Sequence, residues 1–219
     1  MLILLGSAIL QTMFDSEKIE IIKKWLGSGS IDIFGRPFAG KDYQGRQLVA
    51  LFGGNLIGGG EILRNSIVPE DITAQLRVGK LAPTDFYIRT VVPYLSQDRL
   101  ANAPLFLSSV GRWHGEENGV IEAIQQSGHP MKAVVYLDMP TEESYVRWQS
   151  RDINNDRVGR HDDTLEVLKT RFNEFQDKTI PVIDFYRDLG NLVEIDGKQS
   201  REKVTQDILE ALFEMAKDS

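Results

Sequence analysis

The chain reads as an α/β protein with a parallel central sheet and helices on both faces. Two observations carry that reading. Five short apolar runs alternate with helix-compatible segments along all 219 residues, and this order calls for crossover helices between parallel strands. The first run also passes directly into a glycine-rich turn and a helix, which places ligand chemistry beyond the carboxyl ends of the strands.

The elements follow in order. Residues 1–10 are apolar but lack a cationic start and fall far below membrane-spanning length, so neither a signal peptide nor a membrane span is expected. Met13 is a plausible second start. Residues 16–26 carry Ile19, Ile22 and Leu26 at helical spacing, with Trp25 beside them. Glu20 and Lys24 form an i,i+4 pair, and Gly27 suits the helix end. This amphipathic helix is expected to pack on the core. Strands are expected at residues 31–34, 53–57, 104–107, 133–137 and 192–195. Helices are expected at residues 42–52, 58–64, 70–79, 84–97, 116–127, from Thr141, at 163–178, from Pro181 to the stop at Gly190, and at 200–216. Thr141 caps its helix, with Glu142 and Glu143 in the positive first turn.

Composition narrows the function. The 42% apolar and 26% charged content is that of a soluble globular protein. With no cysteine, disulfides, thiolate zinc sites and a thiol nucleophile are excluded. A net charge of −7 without a basic tract argues against nucleic-acid binding. The three histidines, His114, His129 and His161, form no ligand pattern.

Residues 35–41 read GRPFAGK. Strand, glycine-rich turn, lysine, helix is the order of a phosphate-binding loop. The glycines let backbone N–H groups turn around an anion, and the helix points its positive end at the same place. Lys41 adds a point charge against the outer phosphates. The Ser or Thr that usually follows, to meet magnesium, is replaced by Asp42 and then Tyr43.

A triphosphate whose terminal group is transferred needs several forked, permanently charged donors around one point. Arg147 and Arg151 lie four apart on one helix face; Arg160 sits in a polar run that reads as a loop; Arg171 lies on the next helix.

These features resemble the adenylate kinase and nucleoside monophosphate kinase family over residues 31–212. The likeness is strongest at residues 133–196: a strand ending LDMP, the paired arginines, GRHDDTLEVLKTRFNEF, then TIPVIDFYRDLGNLVEIDG. GGGEILR (58–64), GKLAP (79–83) and Gly111-Arg112 match upstream segments. The resemblance implies a phosphate-loop NTPase fold with small insertions. Residues 1–30 are then an N-terminal extension and residues 31–216 the kinase domain, with an NMP-binding insertion at about 58–83 and a short, zinc-free lid at about 152–161. It implies reversible transfer of a phosphoryl group from MgATP to AMP, giving two ADP. Another acceptor (CMP, UMP or GMP) and a catalytically weakened nucleotide-binding member are the alternatives.

The same resemblance assigns roles. Gly35, Phe38, Ala39, Gly40, Lys41, Asp42, Tyr43, Arg147, Arg151 and Gln199 would hold ATP. Gly59, Arg64, Lys80, Leu81, Ala82, Gly111, Arg112, Glu116, Arg160 and Arg171 would hold the monophosphate. Lys41, Arg112, Arg151, Arg160 and Arg171 would be catalytic, and Asp162 and Asp163 would anchor the lid. Mg2+ would arrive with ATP, without a direct protein ligand. The expected setting is a cytoplasmic monomer that binds neither nucleic acid nor membrane. Departures from the family pattern fall at Asp42, Tyr43, Gly59, Ser108 (an Asp in the family, ordering magnesium waters) and Glu116 (a Gln that reads adenine).

Overall fold

The computed structural model describes residues 15–150 and 164–217. Five strands form one sheet: β1 (Ser30–Gly35), β2 (Asn55–Gly58), β3 (Leu105–Ser108), β4 (Met131–Asp138) and β5 (Leu192–Asp196). Their order is β2-β3-β1-β4-β5, and every neighbouring pair is parallel. The helices are α1 (Ser16–Leu26), α2 (Lys41–Phe52), α3 (Gly59–Arg64), α4 (Glu70–Arg77), α5 (Thr84–Leu95), α6 (Glu117–Gln126), α7 (Thr141–Gln149), α8 (Leu165–Glu174), α9 (Ile180–Asp188) and α10 (Arg201–Lys217). A 3-10 turn spans Asp98–Leu100. Among the described residues no helix is long and apolar enough to cross a membrane.

The alternation of side chains along each strand sorts the core into two faces. Ile31 and Ile33 of β1, Phe106 of β3, and Ala133, Val135 and Leu137 of β4 turn to one face, against α1, α2 and α10. Phe34, Val134 and Tyr136 turn to the other, against Val182, Ile183 and Tyr186 of α9. Leu105 and Leu107 pack on that second side with α5 and α6. A central parallel strand is thus apolar on both faces. The exception is Asp32, in the middle of β1 and fully buried.

Helix α1 belongs to this core. Ile19, Ile22 and Leu26 are buried together with Ile208, Leu209 and Leu212 of α10. Lys18 Nζ reaches Glu210 Oε2 at 2.6 Å across the same pair of helices.

The helix expected from Pro181 is α9, which begins at Ile180 with the proline in its first turn; what the sequence did not show is how it joins α8. The chain runs helically from α8 into α9 through a π turn, Phe175–Thr179, in which the Ile180 N–H donates to the Phe175 carbonyl. Proline has no N–H to give, and the wider turn accommodates it without breaking the helix. The Lys178 carbonyl of this turn accepts the His114 N–H at 3.2 Å. Such turns concentrate at functional sites.

Because α1 supplies part of the core, Ile22→Ala is expected to cost about 2–5 kcal/mol of stability by opening a cavity. Urea unfolding monitored by circular dichroism would show the midpoint falling; an unchanged midpoint would mean that α1 is dispensable.

Candidate functional site

β1 ends at the centre of the sheet, where the strand order switches direction between β3 and β4. A crevice opens there in folds of this kind. Here it is a cleft of about 1460 Å3, larger than the roughly 300–1,000 Å3 that one small ligand fills.

The glycine-rich turn forms one wall. A Cβ on Gly35 would meet the Leu137 carbonyl at 3.1 Å and Ala39 at 3.0 Å, so the turn packs down on β4 only with glycine there. Phe38 (φ 65°) and Gly40 (φ 95°) take left-handed backbone conformations. Alternation of this kind aims successive N–H groups into an anion nest. Gly40 caps α2 without a side-chain hydrogen bond, so the first-turn N–H groups face the same place. Lys41 Nζ curls over the turn and donates to the carbonyls of Gly35 (2.8 Å) and Arg36 (3.0 Å). The Ser144 hydroxyl donates to the Pro37 carbonyl, tying the loop to α7.

Asp42 lies in the first turn of α2 and lines the cleft. Ser108 Oγ, at the end of β3, donates to Asp42 Oδ1 at 2.7 Å. Among the described residues no cluster of three or more His, Cys, Asp or Glu could hold a metal ion directly. The oxygen chemistry of this pair does fit magnesium, which keeps most of its waters and takes few carboxylates. An ion arriving with a triphosphate would find the Asp42 carboxylate beside the loop.

The opposite wall is cationic. Arg64 ends α3, Arg171 lies in the last turn of α8, and Arg112 follows β3. All three line the cleft with Lys80 and Leu81. Burial pulls the Arg112 guanidinium below its ordinary pKa, and the nearby charge of Arg171 pulls the same way; Glu116 and Glu174 oppose it. The Leu81 N–H donates to Glu174 Oε2 at 3.2 Å. Glu174 also pairs with Lys178 at 2.7 Å, whose ammonium lies 3.8 Å from the Trp113 ring centroid.

At the loop's other flank, Arg147 Nε meets Glu143 Oε1 at 3.0 Å, and its Nη2 donates to the Gly197 carbonyl at 2.8 Å. Gln199 Nε2 donates to Asp207 Oδ2 at 2.8 Å. The Arg201 guanidinium stacks 4.8 Å from the Tyr43 ring centroid. Lys41, Asp42, Tyr43, Gly59, Arg147 and Gln199 therefore share one cleft with Arg64, Arg112 and Arg171.

Three expected site residues do not line it. Ala82, Gly111 and Glu116 are buried behind its wall. Glu116 accepts the Trp113 N–H at 3.2 Å, and burial raises its carboxyl to about 7. Arg151, Arg160, Asp162 and Asp163 lie outside the described residues. Sequence reasoning missed Glu174 and Arg201, single charged residues on helices with nothing local to mark them, Thr179, which lines the cleft from the π turn, and Asp32 and Tyr87, which are buried and do not line it.

No family model matches the chain. Curated relatives do. The adenylate kinase of Leptospira biflexa serovar Patoc is 30% identical over 183 residues, covering 81% of this chain and 96% of that protein. That of Cyanothece sp. is 29% identical over 181 residues, covering 80% and 91%. That of Phocaeicola vulgatus is 27% identical over 188 residues, covering 84% and 97%.

Burial raises Asp32 from 3.8 to about 8 and Glu116 from 4.5 to about 7, against weaker lowering by backbone N–H donors. The folded state then holds protons that the unfolded chain has already released. Their stability contribution is full below pH about 4 and is lost as pH rises to about 7 and 8. Asp32→Asn is expected to flatten the fall in urea midpoint between about pH 5.5 and pH 8.5. Parallel midpoint-against-pH curves for variant and wild type would contradict this.

Proposed function

The chain belongs to the adenylate kinase family and is a nucleoside monophosphate kinase, and on that premise we propose that it transfers the γ-phosphoryl group of MgATP reversibly to AMP, giving two ADP. The observation that carries the reading is the convergence in one cleft of a phosphate loop with two guanidiniums, Arg112 and Arg171, the second near enough to disfavour the charge of the first. Like charges held in range of one another suit a polyanion that neutralises both.

In this reading the ATP phosphates lie on the loop at residues 35–41 and on the first turn of α2. Lys41 leaves the Gly35 and Arg36 carbonyls to meet the outer phosphates. Arg64 and Arg112 hold the acceptor phosphate, and Arg171 spans both nucleotides, as do Arg151 and Arg160. The acceptor phosphate oxygen is already anionic, so no protein base is needed. It attacks the γ-phosphorus in line: one P–O bond forms to the acceptor, the bond to the β-phosphate oxygen breaks, and ADP leaves with that electron pair. Charge then spreads over the transferring oxygens, and the arginines neutralise it. Magnesium bound with the triphosphate would neutralise part of its charge, and Asp42, held by Ser108, would be the carboxylate beside it. Residues 58–83 form the acceptor-binding insertion, residues 152–161 the lid that excludes water, and residues 1–30 an extension. The setting is a cytoplasmic monomer.

A second reading keeps the chemistry and changes the acceptor. Glu116 accepts the Trp113 N–H behind the cleft wall, so its side chain does not meet an acceptor base in the open cleft. CMP, UMP or GMP then competes with AMP for the role. Loss of turnover is the third outcome, favoured by Tyr43 in its stack with Arg201.

Two measurements decide among these. ATP supplied with AMP, CMP, UMP and GMP in turn, with and without magnesium, is expected to give diphosphate fastest with AMP and only with the metal. Arg171→Ala and Arg160→Ala are each expected to lower kcat more than about tenfold, the loss that follows removal of one charge-stabilising donor. Wild-type turnover in both variants would refute the assigned roles; no turnover with any acceptor would point to a binding protein.

A further inference from the structure

Asp32 occupies a position that a central parallel strand fills with an apolar side chain. It is fully buried on β1, below Phe34 on the face toward α9. Its two carboxyl oxygens lie 3.4 and 3.2 Å from the Val110 nitrogen. Val110 belongs to the turn that leaves β3 and ends in Arg112.

The next two residues of that turn are held in the same way. The Tyr87 hydroxyl of α5 accepts the Gly111 N–H at 3.2 Å. Thr179 Oγ1, in the π turn, donates to the Arg112 carbonyl at 3.1 Å. Both side chains are buried. Three buried polar groups from three elements thus grip three consecutive residues. The turn needs this grip. Ser109 sits at φ 54° and Gly111 at φ 69°, a left-handed pair that local sterics do not favour at the serine.

We propose that Asp32 is a positioning residue for Arg112, clamping the backbone of its turn jointly with Tyr87 and Thr179 so that the guanidinium is presented into the cleft at the acceptor phosphate. This rests on the reading of Arg112 as an acceptor-phosphate ligand. Asp32 touches no substrate and acts only through the turn. Its surroundings suit a neutral carboxyl. Arg112 is the cation in electrostatic range, Tyr87 and Tyr186 feel its charge, and Glu117 faces Tyr186 from α6. The Tyr186 hydroxyl is buried and has no hydrogen-bond partner among the described residues. A protonated carboxyl offers one acceptor oxygen for Val110 and one donor for such a hydroxyl.

The test compares Asp32→Leu, which removes the acceptor, with Asp32→Asn, which keeps one. Two readouts are taken on the full chain: amide hydrogen exchange over residues 108–114, and steady-state kinetics with AMP and ATP. Asp32→Leu is expected to lose protection in that segment and to raise KM for AMP at least about tenfold, with KM for ATP nearly unchanged, since small misplacements of a binding group are costly. Asp32→Asn should restore both. Ile124→Val, a buried change in α6, should lower stability without either effect. If Asp32→Leu does not fold, Thr179→Val tests the clamp from its other side and should show the same pair of changes. Full protection of residues 108–114 in Asp32→Leu, or an equal rise in both KM values, overturns the inference. Arg112→Ala separates it from the underlying reading: lost protection in Asp32→Leu alongside an unchanged KM for AMP in Arg112→Ala leaves the clamp standing and removes the acceptor role.

Discussion

Positive charge gathered at the carboxyl edge of a parallel sheet is the constraint on which the rest of this molecule depends. Lys41, Arg64, Arg112, Arg147 and Arg171 all line one cleft in a protein whose net charge is −7. Cations in a shared concave space repel one another, and partial burial strengthens that repulsion. The fold offsets it with dipoles and a few carboxylates. Lys41 rests on two loop carbonyls. Arg147 is shared between Glu143 and the Gly197 carbonyl. The carbonyl partners hold a cation without cancelling its charge, whereas Glu143 offsets part of the charge of Arg147.

The sheet explains why these groups can be assembled from distant parts of the chain. A parallel strand delivers its carboxyl end to the same edge each time. β1 brings the glycine-rich turn, β3 brings Ser108 and Arg112, and β4 leads to the helix that carries Arg147. The order β2-β3-β1-β4-β5 puts β1 in the middle, so segments far apart in sequence become neighbours around one loop. The Ser108–Asp42 bond is an instance: it joins the ends of two elements 66 residues apart. That bond also bears on the departures from the family pattern. A carboxylate is missing at Ser108, and one stands on α2 within hydrogen-bond reach of it.

Much of this was legible in the sequence because periodicity and turn chemistry act locally. All five strands fall where apolar runs predict them, and the helices agree to within a few residues. The strand-turn-lysine-helix order picked out, from seven residues, the loop that walls the cleft. What stayed hidden is non-local. The π turn was unreadable because Pro181 marks a helix start; only the packing of Thr179 and Lys178 against the turn at Arg112 and His114 shows why the helix widens there. Glu174 reads as one half of an i,i+4 pair with Lys178, and nothing local says that the same oxygen also accepts the Leu81 N–H. Glu116 illustrates the converse: its position in the motif suggested contact with a base, and tertiary burial turned it inward.

Asp32 is the clearest case of a local rule broken for a distant reason. Hydrophobic patterning asks for an aliphatic side chain there, and burial of a charged carboxylate among Phe34, Tyr186 and Val134 would be expensive. Raising its pKa to about 8 removes most of that cost at neutral pH, because the group is then mainly protonated. What remains is a polar group whose acceptor is matched to an N–H that strand pairing leaves over: Ser109 still donates to β1 at Ile33, and Val110 is the first residue past the ladder. A buried N–H without a partner would itself be costly. Sheet pairing ends there, and side chains from β1, α5 and the π turn take over the hydrogen bonding residue by residue. The Val110 and Gly111 N–H groups and the Arg112 carbonyl thus keep hydrogen-bond partners where the backbone turns away from the sheet.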